Sequence, residues 1–71
     1  MRDDLVAAKG EVQARLQRVR RELSAAEAGL AAAPGLRRRL LARRVAALTA
    51  EADRLMAEEA RLRKAIDRAP G

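Results

Sequence analysis

Two long stretches of this chain place their apolar residues in alternating steps of four and three, and one short segment, Ala33-Pro34-Gly35-Leu36, separates them. The first stretch runs Leu5, Lys9, Val12, Leu16, Val19, Leu23, Ala26, Leu30; the second runs Leu41, Val45, Leu48, Ala52, Leu55, Glu59, Leu62, Ile66, Ala69. A repeat of about 3.5 residues keeps one stripe of an α-helix facing a partner helix, and it does not fit the two-residue period of a strand. Composition agrees: 18 Ala, 14 Arg and 10 Leu are strong helix formers, and only Pro34 and Pro70 break a helix outright. The spacing therefore predicts one domain, 1–71, with helices over 4–32 and 36–68 and a turn over 33–36. Pro34 presets the backbone at the second turn position, and Gly35 accepts the positive φ that a type II turn needs at the third. Asp3 or Asp4 is expected to cap the first helix, where a carboxylate also suits the positive helix end.

The fold class that follows is all-α, an antiparallel two-helix coiled-coil hairpin pairing into a dimeric four-helix bundle. If the chain folds back at Pro34-Gly35, facing residues have numbers that sum to 71, as in Leu30 with Leu41, Leu23 with Leu48 and Leu16 with Leu55. Each stripe holds one charged intruder, Lys9 and Glu59, in adjacent layers. They form a register pair if they meet diagonally, penalising other alignments; otherwise their stems lie along the seam and the charges snorkel to water. On the flanks, Glu22 is within reach of Arg44, and Arg15 of Glu51 or Glu58. Such exposed pairs contribute only about 0.5 kcal/mol each.

Much chemistry is excluded by what the chain lacks. Without Cys or His there is no thiol nucleophile, zinc site or imidazole base, and the only hydroxyls, Ser24 and Thr49, have no His to activate them. No enzymatic activity, metal or cofactor is expected. Sixteen basic residues against ten acidic ones give a net charge of +6, which favours anionic partners. No apolar run reaches the roughly 18 residues of a membrane span, and Met1-Arg2-Asp3-Asp4 lacks the basic start and apolar stretch of a secretory signal, so a cytoplasmic address is expected. The excess of Arg over Lys, 14 to 2, together with abundant Ala, matches the codon bias of a GC-rich bacterial genome.

Three sets of residues are candidates for function. Arg37, Arg38, Arg39, Arg43 and Arg44 crowd the start of the second helix, where the macrodipole disfavours positive charge by a few tenths of a kcal/mol each. Beside free helix-end N–H groups such a cluster suits phosphate. Arg15, Arg18, Arg20 and Arg21 make a second basic patch on the first helix, and the two together suit a nucleic-acid backbone, without the aromatics a base-stacking platform needs. The plainer reading is a solvated basic surface that keeps an Ala-rich rod soluble. The third set, Val6, Gln13, Thr49 and Met56, lies on the less charged flank and is the expected contact surface for a second hairpin or a partner protein's helix. Alternatively, Val6 and Met56 only widen the intramolecular core.

In outline, length and charge the predicted hairpin is similar to the small bacterial ribosomal proteins that lie against ribosomal RNA, a resemblance of architecture and charge. The partners expected are a second copy of the chain and another protein, with nucleic acid as the alternative. A membrane partner is not expected, because Leu36, Leu40 and Leu41 sit among arginines with no Trp or Phe to anchor them.

Overall fold

The computed structural model describes residues 1–70 and contains two helices, α1 (Arg2–Ala32) and α2 (Gly35–Arg68). They pack side by side as an antiparallel hairpin of 55 × 14 × 12 Å, whereas the same residues in one continuous helix would span roughly 105 Å at ~1.5 Å per residue. The reversal takes two residues. Ala33 (φ −89°, ψ 134°) and Pro34 (φ −93°, ψ 160°) are both extended, and Gly35 then adopts φ +54° as it opens α2. Only glycine enters that left-handed region at little cost. Ala33 donates its N–H to the Leu30 carbonyl at 3.3 Å, and the Pro34 carbonyl accepts from Arg38 at 3.4 Å, so each helix end shares its hydrogen bonds with the turn.

Two boundaries differ from the sequence-based expectation. α1 begins at Arg2 rather than residue 4: the Met1 carbonyl accepts the Leu5 N–H at 3.2 Å, and neither Asp3 nor Asp4 caps with its side chain. Both lie inside the first turn, where their charge complements the helix dipole, and Asp4 also sits 3.7 Å from the N-terminal ammonium. α2 begins at Gly35 rather than residue 36, because the glycine's positive φ completes the reversal soon enough for helical bonding to start at Pro34.

The core is a thin line of side chains between the helices. Val12, Leu16, Val19 and Ala26 of α1 and Leu48, Ala52 and Leu55 of α2 are buried, with Leu23, Val45 and Leu62 packed against them. Every position of the two four-three stripes is buried or half-buried. Beyond them the turn residue Ala33 is buried, while Ala8, Gly29, Glu51, Glu58 and Ala65 are half-buried at the seam edges. Val19 and Glu51 line one groove, and a Cβ added to Gly29 would touch Leu41 at 3.5 Å. Both pairs sum to 70, as neighbours of layers that sum to 71 should.

Candidate interaction surfaces

The expected flank residues are outside the core. Val6 is 52% exposed and Met56 42%, and Gln13 and Thr49 are exposed too, so Val6 and Met56 do not widen the intramolecular seam. Gln13 and Met56 lie over the same part of it: each lines a shallow groove with Leu16, Arg20 and Glu59. The Thr49 hydroxyl is already used, donating to the Val45 carbonyl at 2.8 Å, a local bond common for Ser and Thr within helices.

This flank carries more charge than its four residues suggest. The Arg20 guanidinium approaches the Met56 sulfur at 3.6 Å, and Arg63 lines the groove beside Met56. The signal was present in the sequence, since Arg20 stands seven residues after Gln13 and Arg63 seven after Met56, and positions one heptad apart share a face. Arg stems are apolar, so they extend the greasy strip while their charged ends frame it.

Glu59 and Lys9 are both half-buried, as seam positions with polar ends should be. They do not form an ion pair. The Glu59 carboxylate instead accepts from Arg63 Nη2 at 2.7 Å, one turn further along α2. That local pair needs less side-chain ordering than a diagonal contact across the seam, which explains why it wins. Among the described residues the ion pairs are this one and that between the N-terminus and Asp4. Arg15 faces Glu51 and Glu58 across one groove, and Arg18 shares another with Glu22 and Glu51, in each case without an ion pair.

The nine candidate arginines fall into two unlike groups. Arg15, Arg18, Arg20 and Arg21 are exposed but are not gathered on one face: Arg15 and Arg18 lie on one flank among acidic side chains, and Arg20 on the other beside Met56. Arg37, Arg38, Arg39, Arg43 and Arg44 are exposed at the turn end of the rod. From Ala28 to Ala50 there is no acidic residue, so five of the six net positive charges belong to this third of the chain, and the remaining 48 residues balance eleven basic against ten acidic ones. Leu36 and Leu40 are 71% and 56% exposed among these arginines, while Leu41 turns into the seam against Gly29. No helix among the described residues is long and apolar enough to cross a membrane. Comparison with protein-family models, with curated proteins and with solved structures finds no match to this chain.

Proposed function

We propose that the hairpin is a non-enzymatic helix-interaction module, a small coiled-coil regulator or assembly factor, which self-associates into a dimeric four-helix bundle and meets a partner protein through helix–helix contacts. The observation that carries this reading is the exposure of Val6 and Met56 immediately beside a seam in which no side chain is less than 2% exposed. A two-helix rod has one shared face, and a second hairpin laid on the flank of Val6, Gln13, Thr49 and Met56 removes from water the apolar surface that the first fold leaves wet. Sedimentation equilibrium at micromolar concentration tests it. The expected mass is twice 7.7 kDa, and Val6→Ser with Met56→Ser should return the protein to a helical monomer. A fully helical monomer for the unaltered chain contradicts the reading.

A second reading has its own support. The concentration of net charge at the turn end suits a nucleic-acid backbone, with Arg37, Arg38, Arg39, Arg43 and Arg44 as phosphate ligands. Binding of that kind weakens steeply with added salt, whereas apolar association persists or strengthens. Absence of binding to duplex DNA or structured RNA at about 50 mM salt, where such contacts are strongest, removes this reading.

A further inference from the structure

The turn end combines two features that a polyanion alone does not explain. Five guanidiniums lie in a segment free of acidic residues, and two leucines, Leu36 and Leu40, are left in water among them. Leucine has no favourable contact to make with a phosphodiester backbone. At ~100° per residue, Leu36 and Leu40 form a single stripe along α2, turned away from the seam that Leu41 enters. Arg39 and Arg43 run along one side of that stripe and Arg37 and Arg44 along the other. Long basic side chains on both sides of a short apolar stripe are arranged to reach anions in a plane while the leucines sit below it.

We propose that the turn end of the hairpin docks on an anionic bilayer surface, with Leu36 and Leu40 in the acyl boundary and the bracketing arginines on lipid phosphates. A flat anionic surface engages both rows of arginine at once, and a cylinder of nucleic acid on the leucine stripe leaves the leucines unsatisfied. The missing aromatic anchor, which alone argues against a membrane partner, is replaced by the two leucines and by attraction between the acid-free tip and the negative surface. The chain rests on the bilayer and does not span it, in keeping with the absence of any spanning helix among the described residues. This surface lies toward the opposite end of the rod from Val6, so it is independent of the flank assigned to self-association.

Vesicle co-sedimentation of the full chain tests the assignment. Phosphatidylcholine vesicles containing phosphatidylserine should retain the protein and pure phosphatidylcholine vesicles should not, with retention falling as salt is raised. Leu36→Ser combined with Leu40→Ser should lower the partition coefficient at least about a hundredfold, the scale expected for two leucines leaving an apolar phase, with helicity by circular dichroism unchanged because both sites are exposed. Val6→Ser with Met56→Ser should still bind, which separates this surface from the dimer contact. No retention on anionic vesicles overturns the proposal. So does retention indifferent to the leucine substitutions, which means arginines acting alone. Binding to duplex DNA by the leucine variant without vesicle binding by the parent chain also overturns it and assigns the tip to nucleic acid.

Discussion

Arg20 and Met56 stand thirty-six residues apart in the chain, yet the guanidinium of the first lies 3.6 Å from the sulfur of the second. The contact crosses from α1 to α2 above the seam, on the flank where Gln13 and Glu59 also lie. It is exposed, and a thioether is a weak acceptor, so it marks where the helices sit and does little to hold them. Arg20→Ala should change stability by less than about 0.5 kcal/mol in urea unfolding, the usual range for surface positions. A loss well above that would mean the flank is more tightly built than its exposure implies.

Stability should reside in the middle of the rod. Leu16 and Leu55 are 4% and 5% exposed and belong to the same buried cluster between the helices. Leu16→Ala or Leu55→Ala should each cost about 2 to 4 kcal/mol, the range for a buried leucine truncated to alanine. Leu40→Ala, at a position 56% exposed, should be nearly neutral. Chemical denaturation of the three variants checks the order, and equal losses at Leu16 and Leu40 would contradict the placement of the core.

Two glycines should respond with opposite signs to the same substitution. Gly35 holds φ +54° at the start of α2, and an alanine there should cost roughly 1 to 2 kcal/mol. Gly10 lies within α1, and a Cβ added there meets nothing within 4 Å, so Gly10→Ala should stabilise by about 0.5 to 1 kcal/mol through helix propensity. Thermal melts of both variants decide this. Destabilisation by Gly10→Ala would reveal a neighbour packed on that face, which a second hairpin could supply.

Charge reversal at Lys9 and Glu59 should give no mutual rescue. No ion pair joins them: among the described residues the Glu59 carboxylate is held by Arg63 at 2.7 Å and Lys9 pairs with no carboxylate, so the effects of Lys9→Glu and Glu59→Lys should add within about 0.5 kcal/mol. Recovery in the double variant would show that the two charges meet across the seam in solution.

The helices and their inner faces were legible in the sequence because the four-three spacing leaves one stripe that can be buried at all; every stripe position, from Leu5 and Lys9 to Ile66 and Ala69, is at least half-buried. The reversal was legible as well, since Pro34 and Gly35 are the one internal place where a helix must stop and a positive φ is tolerated. The start of α1 was less so: an aspartate serves equally as a cap or as a first-turn charge, and the choice depends on which carbonyl accepts first. Surface chemistry was the least readable. Arg15 to Arg21 look like one patch along the chain, but the helical turn sends Arg15 and Arg20 to opposite flanks. Glu59 had two cationic neighbours to choose from, and the nearer along the helix won. Such outcomes depend on short-range competition between long side chains, which periodicity does not encode.

Every neighbour relationship depends on α1 and α2 folding against each other with opposite polarity within one chain. Because the sequence contains no cysteine, spin labels on Ala7→Cys and Lys64→Cys are unique sites, and diluting labelled protein with unlabelled chain restricts the measured distance to one molecule. Electron–electron double resonance should give a separation below about 40 Å, helix-pair spacing plus two outward labels. A distance near 85 Å, the length of 57 residues of unbroken helix at ~1.5 Å each, would contradict the hairpin and with it both proposed surfaces.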